Sequence, residues 1–223
     1  MTSTSRRPRV VCHMTTSVDG RIVVDGWPAP DDVRREYEQV HASYDPDGWI
    51  CGRVTMEPFA GGLRGEEEVA RHHSGPPRED FVAPGEHDSF AFAVDPSGRL
   101  AWESNDIDGD HVVAILSDRV SDEYLASLRE RGVSYLLAGP RDVDLPLALE
   151  KIGERFAVRT LMLEGGGGIN GGMLRAGLID EVSLLIAPVA DGRSARRRSS
   201  TSPVTTWRPT GSPSRLSSGA AAA

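Results

Sequence analysis

The chain is poor in several things, and each shortage excludes a class of protein. Of its 25 lysines and arginines only Lys151 is a lysine, a skew that points to a GC-rich gene rather than to chemistry. It has two cysteines, Cys12 and Cys51, each inside an apolar strand-like run. Such thiols read as core residues in a reducing cytoplasm, not as a disulfide framework. No apolar run reaches the length of a membrane span. The first eight residues, polar with two arginines, lack the apolar core of a secretory signal. His72-His73 has neither metal-ligand spacing nor a nearby Cys/Asp cluster, so it reads as loop surface and no metal is expected. No Ser/His/Asp nucleophile constellation is visible.

The charge is unevenly spread. The net value is −8, but residues 193–223 hold six arginines and no acid, leaving residues 1–192 at −14. An acidic body without a basic stripe argues against nucleic acid as a partner. Two regions follow: a single domain over 1–192, and an Arg/Ser/Pro-rich tail over 193–223. The tail's composition predicts disorder. It also matches what a GC-rich gene yields when read out of frame.

With 39% hydrophobic residues, 223 residues suffice for one sizeable core. Strands are predicted at Arg9 to Met14, Gly20 to Val24, Gly48 to Gly52, Phe90 to Val94, His111 to Leu116, Val133 to Ala138, Val158 to Leu163 and Val182 to Ala187. A helix opening at Pro30 and Asp31 carries the apolar face Val33, Tyr37, Val40 and Tyr44. Others span Asp122 to Arg131, capped by Ser121, and Pro146 to about Phe156. Residues 61–88 read as a long loop. Strands alternating with helices imply an α/β domain whose largely parallel sheet is covered on both faces.

The most informative segment is Glu164-Gly-Gly-Gly-Gly-Ile-Asn170, between a strand and an amphipathic helix closed by Gly177. Glycines allow a backbone to approach a ligand closely. A helix starting there aims free N–H groups and its positive dipole end at the same place, which suits a phosphate. Gly166, Gly168 and Gly171, with Asp191 twenty residues on, also satisfy the dinucleotide fingerprint G-x-G-x-x-G. Its position, with no room for the remaining βαβ units, argues against a Rossmann domain.

A second motif, Gly52-Arg53-Val54-Thr55, follows the strand Gly48 to Cys51. It resembles the Gly-Arg-x-Thr segment of dihydrofolate reductases. The opening Ser17-Val18-Asp19-Gly20-Arg21-Ile22 is similar to the start of the pyrimidine reductases of riboflavin biosynthesis, as are Glu164-Gly-Gly-Gly and Ala176-Gly-Leu-Ile-Asp-Glu181. The resemblance covers residues 9–191. It implies a dihydrofolate reductase-like three-layer α/β/α fold with a mostly parallel mixed sheet, NADPH as cofactor, and a homodimer.

By the same resemblance Arg53 pairs with the 2′-phosphate, while Gly52, Thr55 and the run Gly165, Gly166, Gly167, Gly168, Ile169 and Asn170 hold the pyrophosphate. A guanidinium matches phosphate bidentately, and a hydroxyl with free N–H groups completes such a cradle. Glu164 and Asp19 would face a pyrimidine- or pterin-like substrate. Each has a plainer reading, Glu164 as a helix-terminus partner and Asp19 as a turn residue. No catalytic residue is assigned, since the cofactor carries the hydride.

The chain also departs from the riboflavin enzymes. Asp25-Gly26-Trp27-Pro28 replaces their Trp-Ile-Thr-Ser-like segment. Phe59 stands where an aspartate belongs, and no Asp-Pro follows it directly. These leave the substrate open. A nucleotide-binding protein without turnover, a flavin- or deazaflavin-dependent oxidoreductase, and a dihydrofolate reductase-like enzyme of unrelated substrate are the alternatives. The strands that usually close this fold would follow Gly192.

Overall fold

A computed structural model describes residues 7–22, 27, 30–65 and 78–190. The elements are β1 (Arg9–Ser17), α1 (Pro30–Ser43), β2 (Gly48–Gly52), α2 (Arg53–Met56) running into a 3₁₀ turn (Glu57–Phe59), β3 (Phe90–Val94), β4 (Asp106–Ile107), β5 (Asp110–Leu116), α3 (Asp122–Glu130), β6 (Ser134–Leu137), α4 (Leu145–Phe156), β7 (Thr160–Leu163), α5 (Gly167–Arg175) and β8 (Glu181–Ala187). Tail residues 193–223, His72-His73 and Asp191 lie outside the described residues.

The sheet runs β5-β3-β2-β7-β1-β8, with β6 and β4 sharing the other side of β5. Only β4 is antiparallel. The pleat sends alternate residues to opposite faces. From β3, Phe90 and Phe92 pack with Phe156 of α4, while Ala91 and Ala93 face the layer holding Tyr124, Leu125 and Leu128 of α3. Helices α4 and α5 therefore cover one face, and α1, α2 and α3 the other. This is the expected three-layer α/β/α arrangement.

Local chemistry sets the helix ends. Ser121 Oγ accepts from Tyr124 N–H at 3.2 Å, and Asp144 Oδ1 from Leu147 N–H at 3.1 Å, satisfying donors that a helix start leaves open. Residues 61–65 and 78–88 form loop joined to the body by isolated bridges, Leu63 to Leu100 and Phe81 to Tyr135.

One expected strand is absent over its described part. Gly20 to Ile22 belong to no strand; Val23 and Val24 lie outside the described residues. Ser17 N–H donates to Arg21 O at 2.8 Å and Gly20 takes φ +80°, so the chain closes a tight turn at the end of β1. The short strand β4 was not expected. It forms because Asp108 and Gly109, both at positive φ, fold it back on β5.

Candidate active site

Because β1, β7 and β2 are parallel neighbours, their C-terminal ends lie side by side, where open α/β sheets bind ligands. Two of the predicted segments meet there. Glu164 N–H donates to Ile50 O at 3.0 Å, and Gly52 N–H to Gly165 O at 3.4 Å, joining the loop after β7 to the C-terminal end of β2. The fit is close. A Cβ on Gly165 would lie 2.8 Å from Cys51 Cβ and 3.0 Å from Thr55 Oγ1. Gly166 adopts φ +76° and precedes α5 without a side-chain cap, leaving the first-turn N–H groups unbonded by any side chain.

Around that helix start the space is open. A Cβ on Gly167 or Gly168 would meet nothing within 4 Å. The Asn170 Oδ1 atom is buried without a hydrogen-bond partner, an unsatisfied acceptor at the same place. Arg53 begins α2 across the junction, with its guanidinium 3.9 Å from the Glu57 carboxylate and about a third exposed. Such a weak pair costs little to exchange for a phosphate. Open backbone N–H groups and a guanidinium fit a dinucleotide phosphate group, while the orphaned Asn170 acceptor suits a donor such as a ribose hydroxyl.

Beside the cradle lies a cavity of about 440 Å³, walled by Tyr37 and His41 of α1, Trp49, Thr55, Asp110 and Glu164. Trp49 Nε1 donates to Asp110 Oδ2 at 2.7 Å, fixing one wall. Glu164 is nearly buried, and its Oε1 sits 2.6 Å from His41 Nδ1. That hydrogen bond, reinforced by the carboxylate's charge and by Asp110, raises the His41 pKa above the ordinary imidazole value against the opposing effect of burial. Burial, with Glu164 nearby, also pushes the Cys51 thiol and the Tyr37 phenol upward.

Asp19 is placed differently. It is exposed at the turn after β1, accepts from Ser17 Oγ at 2.6 Å, and is not among the cavity's walls. His41 was not anticipated. The signal was its place one helical turn after Tyr37, on the face that meets the sheet. Among the described residues no group of three metal-ligating side chains occurs, and no helix is long and apolar enough to cross a membrane.

The profile of the RibD C-terminal domain matches residues 8–213. The chain belongs to that family. It is therefore a reductase of the riboflavin pyrimidine branch, with a dihydrofolate reductase-like fold. A 2,5-diamino-6-ribosylamino-4(3H)-pyrimidinone 5′-phosphate reductase from Methanothermobacter thermautotrophicus is 44% identical over 193 residues, 85% of this chain and 82% of the relative. Among solved structures, a pyrimidine reductase-like protein from Corynebacterium diphtheriae superposes with a TM-score of 0.57 at 18% identity, covering 83% of this chain and 76% of that one. RibD of Acinetobacter baumannii gives 0.55 at 19% identity over 86% of this chain. The chain spans about half the length of that protein, 49%.

Proposed function

We propose that the chain uses NADPH to reduce a ribosylamino-pyrimidine 5′-phosphate, the substrate class in the name of the Methanothermobacter relative. The observation that carries this reading is the junction of the two loops, Gly52–Thr55 against Gly165–Asn170, opening onto the cavity that holds Glu164. When bound, a reduced nicotinamide supplies the hydride. Thr55 and the glycine run with Ile169 and Asn170 hold the pyrophosphate through N–H groups and a hydroxyl, and Arg53 takes the 2′-phosphate. Glu164 orients the pyrimidine, and Asp19, in the exposed turn outside the cavity walls, is a second substrate contact only if its bond from Ser17 Oγ is exchanged.

Arg53→Ala is expected to weaken NADPH binding by roughly 1.5–3 kcal/mol, the value of a hydrogen bond to a charged group, and NADH binding far less. Fluorescence titration with both cofactors reads this. An equal loss for NADH would remove Arg53 from the 2′-phosphate.

We also place the protein in the cytoplasm, as a homodimer without nucleic acid. Cys12 and Cys51 are free and buried, and the body is acidic. The outer strand β8 pairs only with β1 among the described residues and exposes Val182, Leu184 and Ile186 on one face. An apolar row on an open edge fits a second copy of the same surface. Leu184→Arg should shift sedimentation from dimer to monomer; a wild-type protein already monomeric at micromolar concentration would refute the assignment.

A further inference from the structure

Hydride addition to a polarised C=N or C=O bond places an electron pair on the heteroatom, which must take a proton. A glycosylamine opens to such a C=N bond, so a reductase of this substrate class needs a proton donor beside its cofactor cradle. Only a few groups in the cavity are candidates. Half-buried Tyr37 has a raised pKa, Thr55 and Trp49 are not acids near neutral pH, Arg34, Glu38 and Asp108 are exposed at the cavity's edge, and Asp110 is engaged by Trp49.

His41 differs from all of these. Its Nδ1 is held at 2.6 Å by Glu164, the residue immediately before the glycine cradle. Among the described residues its other ring nitrogen, Nε2, has no hydrogen-bond partner, and the side chain is about a quarter exposed, so it can exchange protons with solvent. A carboxylate on one imidazole nitrogen fixes the ring and favours the protonated form, leaving the second N–H to donate.

We propose that His41, oriented by Glu164, is the proton donor of the reduction. The proposal rests on the reductase reading above. As the C=N carbon accepts hydride, the π pair moves to nitrogen and takes the proton from His41 Nε2. A new C–H and a new N–H bond form, the His41 N–H bond breaks, and the nicotinamide is the group oxidised. Neutral His41 is then reprotonated from solvent. The ionisable groups around the His41–Glu164 pair are Arg34, Tyr37 and Glu38 on α1, His13 on β1, Cys51 on β2 beside Glu164, Asp108 just before β5, and Asp110 at its start. The acids among them, Glu164 first and then Asp110, favour the protonated ring.

The test follows NADPH oxidation with the ribosylamino-pyrimidine 5′-phosphate by wild type, His41→Ala and His41→Gln across about pH 6 to 9, the range in which a perturbed histidine titrates. NADPH titration and circular dichroism accompany each protein. Wild-type kcat is expected to fall on the alkaline side. His41→Ala should lower kcat roughly 10²–10⁴-fold with KM and NADPH affinity little changed, lose the alkaline limb, and recover in part with added imidazole. If His41→Ala does not fold, the wild-type and His41→Gln profiles decide alone. A wild-type kcat flat across the range, or a variant keeping the limb and most of its kcat, overturns the role of His41 while leaving the reductase intact. A folded wild type that binds no NADPH and oxidises none overturns the reductase reading and this one with it.

Discussion

Gly165→Ala is expected to destabilise the protein by roughly 1–3 kcal/mol through overpacking, and to cost most of its affinity for NADPH. The cause is space, because Gly165 does not occupy the left-handed region. Its added methyl would lie 2.8 Å from Cys51 Cβ and 3.0 Å from Thr55 Cγ2. Cys51 is fully buried in the middle of the sheet and cannot retreat. Thr55 can turn away only by re-aiming its hydroxyl, and the bond from Gly52 N–H to Gly165 O would lengthen as the loops part. Fold and cofactor cradle thus fail together. Gly167→Ala is the complementary case, with nothing within 4 Å of its new methyl. That change should leave stability unchanged or raise it by up to about 1 kcal/mol, while the methyl intrudes on the cradle and weakens NADPH. Urea melts and NADPH titrations of both variants check this. A wild-type melt for Gly165→Ala would mean that the junction yields more easily than its contacts indicate.

The strands that could be read in advance share a physical reason. Segments such as Gly48-Trp-Ile-Cys-Gly52 and Phe90-Ala-Phe-Ala-Val94 lie inside the sheet, covered on both faces, so they appear as short unbroken apolar runs bounded by turn residues. Both ran over the bounds expected of them. The turn at Gly20 was misread as the start of a strand because Ile22-Val23-Val24 just after it is apolar and β-branched. At β4 the Asp108-Gly109 signal was present, but the strand before it is two residues long and visible only through its pairing with β5. Nothing local reveals that β7 inserts between β1 and β2, since that order is decided by contacts more than a hundred residues apart.

The same distinction governs the site. The glycine run and Gly52-Arg53-Val54-Thr55 were conspicuous because close backbone approach demands a residue type that ordinary loops do not. Their mutual contact was an inference from resemblance, and the bond between Gly52 and Gly165 supplies it as geometry. His41 carries no such mark. Between Val40 and Ala42 it is one more polar residue on an amphipathic helix. It becomes chemically distinctive only when the fold brings Glu164, 123 residues away, to its Nδ1.

Acid should unfold this protein earlier than its carboxylates alone require, and His111 is the principal reason. Its side chain is 2% exposed, its Nε2 lies 2.7 Å from Ser134 Oγ, and the His87 ring stacks on it at 3.8 Å. Ser134 Oγ already accepts from Ala83 N–H at 2.9 Å, so its own proton is available to a neutral imidazole nitrogen and would be opposed by a charged one. Burial first, and the neighbouring His87 second, lower the His111 pKa to about 4, against a weaker pull upward from Asp106. The unfolded chain, with an ordinary imidazole, binds the proton between about pH 6.5 and 4 while the folded chain does not. Stability is therefore intact above about pH 6.5 and falls through that window, by on the order of 3 kcal/mol for His111. Buried His13, also shifted downward, adds in the same direction. The His41–Glu164 pair acts in another window: its raised pKa contributes stability below the ordinary imidazole value that is lost as pH rises through the raised one. Urea unfolding at pH 7, 5.5 and 4.5 should show the wild type losing stability much faster than His111→Gln, which cannot titrate at this position. Parallel losses in the two proteins would mean that His111 is already protonated in the folded state.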